Sequence, residues 1–595
     1  MWSICLVTAV GCIILFAALS LVISNTRLSK THKFNLFYAI AAAVFAGAIL
    51  LFFPVHYSSV EKTLLGVVQA LLISVFNSIQ IFAAGCEFGV IEVGMGYCPD
   101  EIFTIYNTVM AAMFVAAPMF TFGFVLSLFK NLSAYIGYAV AFSKDAYVFS
   151  DLNARSLALA SDISKKHKKS LIVFTDVSKN EEINPELISQ AKKMNAICFK
   201  KNILDVRFDA GSKKRVISFF AIEEDENVNL NCALSLIERY KSRKNTNLYV
   251  FSTKAESELL LSSMDKGNMR VRRINEVQSL INRILYERGE VIFNTKNVNS
   301  DGTKDISALV VGLGNHGTEM LKALSWFGQM DGYNLYINAF DKDKLAKEKI
   351  ELKAPELISD KYNKVRVDGE AFYDIEIHPD MNVQTASFFK KISEIKNVSY
   401  VFIALGNDDL NIECAINLRT QFERTKIHPI IQAVVYNSGQ IRALSDIKNF
   451  KNQRYDIEFI GDVDSSYAED VIIDSELEAE ALARHLKWGS EEDFWNYEYN
   501  YRSSTASAIH MRARIKCAIP GSDKREEDLT TEEAKIIEVL EHKRWNAYMR
   551  SEGYVFSGSK DPTSRNDLAK MHHDLVNFGD LSPDEKLKDR KVGTK

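Results

Sequence analysis

The sequence has no paired-cysteine motif, no surplus of positive charge and no calcium-loop spacing, and each absence removes a class of protein. Its eight cysteines fall without CxxC or Cys/His metal spacing, so neither a disulfide scaffold nor a zinc module organises the chain. Cys198, Cys232, Cys414 and Cys517 stand singly in the charged part, as reduced cysteines of a cytosolic protein do. Cys86 and Cys98 alone bracket a short loop; they form a disulfide if that loop faces an oxidising compartment and stay free thiols otherwise. A net charge of −4 with interspersed signs leaves no basic face, so nucleic acid is not an expected partner. EF-hand spacing is missing, and no metal site is expected.

What the chain has instead is an uneven distribution of apolar residues. A mean hydropathy of −0.08 and a charged fraction of 25% over 595 residues describe an ordinary soluble protein. Yet residues 1–129 are almost all apolar or small, and nearly all the charge lies beyond Lys130. Four runs, 2–23, 34–53, 64–84 and 103–129, approach the roughly 20 residues that a spanning helix needs. The first lacks a basic flank and a small-residue cleavage site, so it is expected to be retained. A lipid bilayer is therefore the first expected partner.

Orientation leaves two readings open. With the large charged part in the cytoplasm, four crossings put Glu87, Glu92, Asp100 and Glu101 outside, together with Arg27, Lys30 and Lys33, against the positive-inside tendency. Three crossings, with 64–84 re-entrant or interfacial, remove the conflict; four are favoured. In that run Gln69, Asn77 and Gln80 recur at roughly helical spacing, which groups them on one face, either for interhelical hydrogen bonds or as the lining of a pore. No run carries a central charge, which disfavours a proton-coupled transporter.

After a linker at 130–144, short apolar strands alternate with amphipathic helices, the signature of a parallel α/β sheet. Strands are expected at 146–150, 170–175, 196–199, 215–222 and 247–252, with helices at 154–167, 185–194, 228–240 and 255–264. The first turn, from Phe149 to Ser156, contains no glycine. Larger side chains then fill the space a pyrophosphate needs, which suits a Rossmann-like lobe that has lost its ligand. The alternative is a modified polar ligand read by Asp151, Asn153 and Ser156.

A second α/β unit is better marked. A strand at 306–311 runs into Gly312-Leu313-Gly314-Asn315-His316-Gly317, a helix follows at 318–327, and a strand at 334–340 ends in Asp341. The first glycine permits the turn, the second lets phosphate approach and the third lets helix pack on strand, while Asp341 stands near the spacing of a ribose-binding acid. A further strand at 399–405 leads into Asn407 and Asp408, where ligands bind at strand C-termini. This stretch, 307–463, resembles the TrkA-N/RCK nucleotide-binding domain that regulates potassium channels and transporters. The resemblance implies NAD(H) or another adenine nucleotide as cofactor, held by Gly312, Gly314, Asn315, His316, Gly317, Asp341, Asn407 and Asp408. No hydride-acceptor or nucleophile constellation accompanies the glycines.

Beyond residue 470 the pattern turns helical, at 470–488, 503–518 and 531–551. Glu541-His542-x-Arg544-Trp545, Glu552-Gly553-Tyr554, His573-x-Leu575-Val576-x-Phe578, Leu581-Ser582-Pro583 and Lys588-Asp589-Arg590 together resemble the RyR repeat named from ryanodine receptors. The upstream segment from Tyr501 to His510 resembles what precedes that repeat in bacterial proteins combining it with TrkA-N. Tyr554 replaces the usual tryptophan, and His573-Asp574 the usual His-Pro. The resemblance implies a small helical module that recognises a nucleotide-derived ligand: Trp545, Tyr548 and Tyr554 stacking on a base, Arg544 and Arg550 holding phosphate, with His542 beside them. The competing reading makes His542 and Trp545 core and capping residues.

The expected fold class is thus multidomain: an N-terminal transmembrane α-helical bundle (1–132), two Rossmann-like α/β domains (145–290 and 304–465), a helical connector (466–528) and a small α-helical RyR-like module (529–595). The expected function is a membrane-embedded effector or channel-like homo-oligomer at the inner membrane, sensing a small nucleotide ligand through its cytosolic domains. By resemblance, bacterial proteins of this architecture act in nucleotide-signalled anti-phage defence. The alternatives are a membrane-tethered NAD(P)-dependent oxidoreductase or nucleotide-processing enzyme, and a scaffold that merely tethers the C-terminal module.

Overall fold

The computed structural model describes residues 30–85, 89–95, 98–128, 131–180, 184–209, 214–359, 373–437, 439, 456–473 and 475–595. The expected span at 2–23 and Cys86 lie outside them. The chain divides into two compact units, Met1–Gly137 and Tyr138–Lys595.

In the first unit, helices run over Lys30–Ser58, Leu64–Phe82, Gly89–Met95 and Asp100–Leu128. Among the described residues two helices, Leu64–Phe82 and Asp100–Met119, are long and apolar enough to cross a membrane. The expected 34–53 span falls within Lys30–Ser58, whose described apolar part is the shorter Val44–Ser58. Leu64–Phe82 buries Gly66, Ala70, Ser74, Asn77 and Ser78 while exposing Leu64, Leu65, Leu72 and Phe76. On this helix small and polar groups thus face inward together with Ile81, and most of its large apolar ones face outward. Ser74 and Ser78 donate to the carbonyls of Ala70 and Ser74, and Asn77 Nδ2 lies 2.7 Å from His56 Nε2. The expected polar face is therefore corrected: Asn77 is buried, but Gln69 is exposed and Gln80 half-buried. At about 100° per residue Gln69 and Gln80 stand about 20° apart on one flank of the buried stripe to which Asn77 belongs.

The stretch expected as a linker, 130–144, instead holds a helix, Leu132–Val140. Within the second unit the hydroxyl of its Tyr138 donates to the Phe208 carbonyl at 2.9 Å, and Arg215 stacks 4.4 Å from the Tyr138 ring centre.

The second unit is built on two parallel six-stranded sheets. The first comprises β1 (Ala146–Phe149), β2 (Leu171–Phe174), β3 (Ile197–Cys198), β4 (Ile217–Ala221), β5 (Thr246–Phe251) and β6 (Met269–Ile274), in spatial order β3-β2-β1-β4-β5-β6. The second comprises β7 (Lys304–Val311), β8 (Tyr333–Phe340), β9 (Tyr373–His378), β10 (Tyr400–Ile403), β11 (Ile430–Val434) and β12 (Ile457–Ile460), in order β12-β11-β10-β7-β8-β9. Each sheet therefore has the doubly wound 3-2-1-4-5-6 order, with its chain reversal between first and fourth strands. Central strands such as Leu-Ile-Val-Phe (171–174) and Tyr-Val-Phe-Ile (400–403) are buried throughout, because helices cover both faces.

Strand β6 escapes a reading by apolar runs, since Met269, Val271 and Ile274 are buried while Arg270 is exposed at the sheet edge. Helix Glu276–Arg288 follows it and packs on Asn315–Phe327 of the second domain. The helix expected over 470–488 breaks into Glu469–Ile472 and Glu476–His485, because the Ser475 hydroxyl caps a new start at Glu478 N–H. The next helix starts earlier than expected, at Glu498, and runs to Lys516. Thr531–Ser551 begins on a reciprocal capping box between Thr530 and Glu533.

These C-terminal helices pack directly on the second sheet's helix Asn315–Phe327. Tyr548 meets Trp326 edge to face at 6.2 Å, and His510 Nε2 lies 2.7 Å from the Gln329 carbonyl.

Candidate ligand sites

In the first α/β domain the crevice at the chain reversal is stitched shut. Asn153 and Ser156 cap the first helix reciprocally. Asn153 Nδ2 donates to the Ile222 carbonyl at 2.7 Å, and Ser150 Oγ accepts the Ile222 N–H at 3.0 Å. These bonds cross from the end of β1 to the end of β4, where a dinucleotide would lie. Asp176, at the ribose-acid position, is bridged by Lys179 (2.7 Å), which also reaches Glu223 (3.1 Å). The chain's own side chains make the contacts that a ligand would make.

The second crevice is built differently. Gly312 has φ +90°, and a Cβ there would come within 2.4 Å of the Ala404 carbonyl on the fourth strand's end. A Cβ on Gly317 would stand 1.6 Å from the Gly312 oxygen, whereas one on Gly314 would meet nothing within 4 Å. The three glycines thus serve turn, open approach and close packing, each at its own position. Gly314 caps the helix Asn315–Phe327 without a side-chain bond, and Gly314 and Asn315 are exposed. That arrangement leaves the helix N-terminus available to an anion.

Asp341 turns one oxygen to the Leu313 N–H (2.5 Å) and the other to the Asp343 N–H (2.7 Å), fixing the glycine loop against the second strand. Lone pairs remain on each oxygen for a ribose hydroxyl. His316 is half-buried beside Tyr436, whose hydroxyl lies 3.1 Å from Nε2. Burial pushes its imidazole down to about 4, so it stands neutral at pH 7. Asn407 and Asp408 are committed to the chain: Asn407 caps Leu410 N–H at 2.9 Å, and Asp408 accepts the N–H groups of Tyr436 and Asn437. Of the eight residues expected here, six gather at the glycine loop, and these two brace the adjoining turn.

A cavity of about 890 Å³ lies at the C-terminal module, within the size range of small-molecule sites. His542, Arg544, Trp545, Tyr548 and Tyr554 all line it. Four of the five stand on or beside one face of Thr531–Ser551, where spacings of three and four residues bring side chains together.

Their roles differ. His542 contacts the Val576 carbonyl through Nε2 (2.8 Å) and Asp589 through Nδ1 (3.4 Å), so it clamps the module's own loops. Arg544 is almost fully buried and donates Nε and Nη2 to Glu541 at 3.1 and 2.7 Å; its Nη1 has no hydrogen-bond partner among the described residues. Trp545 is half-buried and lies edge to face with His572 at 4.9 Å. Burial pushes the Tyr554 phenol up to about 12, so it stays a neutral donor. Arg550, expected to share the phosphate role, turns elsewhere: it pairs with Glu356 of the second α/β domain at 3.2 Å and donates to the Leu575 carbonyl.

Sequence reasoning missed the opposite wall. The helix Ala255–Ser263 of the first α/β domain contributes Glu258, Leu259 and Ser262, and the connector contributes Trp488, Tyr497, Tyr499 and Arg502. The aromatic density of residues 495–501 was a usable signal; no local pattern marked 258–262. Arg502 ties the walls together, pairing with Glu552 at 2.7 Å and Glu258 at 3.1 Å. Burial favours a neutral Glu552, but Arg502 and then Lys322 outweigh it and hold the carboxyl at about 2. His572, His573 and Asp574 bring one ligand atom each within 4.8 Å of one another, yet His572 Nδ1 already accepts the Asp574 N–H at 3.1 Å.

No protein-family model matches this chain, and no curated protein matches it.

Proposed function

We propose that this chain is a multi-pass inner-membrane effector whose cytosolic part senses a small nucleotide-derived ligand and passes the signal to its membrane helices. One observation carries the reading. The cavity of about 890 Å³ gathers Arg544, Trp545, Tyr548 and Tyr554 between three parts of the chain: the first α/β domain, the connector and the C-terminal module. A ligand wedged there alters how those parts meet, and a site shared by several elements is what allows binding to favour one of two arrangements. Two helices long and apolar enough to cross a membrane, one with its polar face turned inward, support the membrane assignment. The TrkA-N/RCK and RyR resemblances, the NAD(H)-type ligand at Gly312–Gly317, the homo-oligomeric state and a role in anti-phage defence belong to the same proposal.

The test is ligand-dependent leakage from liposomes carrying the full chain, paired with thermal shifts in detergent against NAD(H), ATP, ADP-ribose and cyclic nucleotides. One ligand should stabilise the chain and trigger leakage, and Arg544→Ala should abolish the response. Stabilisation without leakage, combined with cofactor turnover, would replace the sensor by an enzyme. No stabilisation by any of them would remove the reading.

A further inference from the structure

The cavity and the glycine loop differ in charge. Eight carboxylates line the cavity against six lysines and arginines, so its wall carries no surplus of positive charge. Each of the six cations is already engaged. Arg502 is held by Glu552 and Glu258, and Arg544 by Glu541. Arg484 donates to the carbonyls of Val592 and Thr594. Nearer the surface, Arg565 pairs with Asp567, Lys588 with Glu585, and Lys570 donates to the Glu552 carbonyl. His572 adds no charge, since burial pushes its imidazole down to about 3, and burial likewise raises the carboxyls of Glu258, Asp574 and Asp589. What remains without a hydrogen-bond partner among the described residues is Nη1 of the buried Arg544, on a residue that lines the cavity together with Trp545, Tyr548 and Tyr554.

A phosphate monoester alone carries about −1.5 to −2 at pH 7. Each further phosphate would face these carboxylates, and drawing Arg502 or Arg544 from its buried partner strands that carboxylate. At the glycine loop the balance is opposite: backbone N–H groups and the positive end of the helix Asn315–Phe327 stand open beside Gly314.

We propose that the cavity takes a nucleoside-type ligand with planar rings and at most one phosphate or phosphodiester group at Arg544, and that polyphosphate ligands are confined to the glycine loop. This rests on the reading that the cavity holds a nucleotide-derived ligand. The chain is then a receptor for two ligands of different charge class.

The experiment uses the full chain in detergent, titrated calorimetrically with adenosine, AMP, ADP and ATP and with the guanine series. Gly314→Asp removes the glycine loop from the measurement, because its carboxylate occupies the place of phosphate. In that variant a nucleoside or monophosphate should bind at least about tenfold more tightly than the matching triphosphate, a gap of about 1.4 kcal/mol. Leu259→Arg, at a 64% exposed position of the cavity wall, should narrow that gap without disturbing the core. Trp545→Ala should abolish binding of the low-charge ligand. Triphosphate binding in Gly314→Asp that equals or exceeds monophosphate binding, and is lost in Trp545→Ala, overturns the charge assignment and leaves the sensor reading intact. Absence of binding by every member of the two series overturns both.

Discussion

Arg502 Nη1 lies 2.7 Å from a carboxylate oxygen of Glu552, joining the connector helix to the residue that caps Thr531–Ser551. The same guanidinium meets Glu258 of the first α/β domain at 3.1 Å, and Lys322 approaches Glu552 at 4.0 Å from the glycine-loop helix. Arg502→Ala should destabilise the second unit by about 3–5 kcal/mol, because it leaves buried carboxylates without their main cation. Glu552→Gln combined with Arg502→Ala should cost much less than the sum of the two single changes. Chemical denaturation of the four proteins measures the cycle, and additivity would show that the pair does not couple.

The glycines predict a split between folding and binding. Gly317→Ala places a methyl group 1.6 Å from the Gly312 oxygen, so loop and helix must separate and expression of folded protein should collapse. Gly314→Ala meets open space at an ordinary φ of −66° and should leave the melting temperature within about 2 °C, as expected for a change of at most about 0.5 kcal/mol. Differential scanning fluorimetry of the two variants separates the cases.

Histidines set a pH dependence. Burial lowers His316 to about 4 and His572 to about 3 from an ordinary value of 6.5. The unfolded chain therefore binds more protons than the folded one between those limits, and stability is complete above about pH 6.5 and falls as pH drops towards 4 and 3. The urea midpoint should decrease from pH 7 to pH 5. His572→Gln, measured against the parent, should flatten that slope; an unchanged slope would place the proton uptake elsewhere.

If the first unit lies in lipid as proposed, its Asn77–His56 contact at 2.7 Å should contribute about 0.6 kcal/mol, the average for interhelical hydrogen bonds there. Asn77→Leu should lower resistance to unfolding in detergent by that order. A larger loss would mean that the polar face also packs against another copy.

The first sheet was legible from alternating apolar runs and amphipathic helices except at edge strand β6, whose arginines break the apolar run. In the second, β7, β8 and β10 were legible and the crevice was marked by its three glycines followed by Asp341, but β9, β11 and β12 were not expected. The cavity was legible on one side only. Glu541, Arg544, Trp545 and Tyr548 advertise themselves by helical spacing, but Glu258 and Leu259 arrive from almost 300 positions away on an ordinary amphipathic helix. Arg550 shows the converse failure. The family resemblance implies that it shares the phosphate role of Arg544, yet six residues of helical rotation turn it towards Glu356.

Lys179, held between Asp176 and Glu223, gives the first α/β domain a property that its sibling lacks. A ligand entering that crevice would first have to displace Lys179 from both carboxylates. On the sensor reading proposed above, the first α/β domain would then act as a stator: its helix Ala255–Ser263, which also walls the large cavity, would hold still while the opposite face answers to ligand.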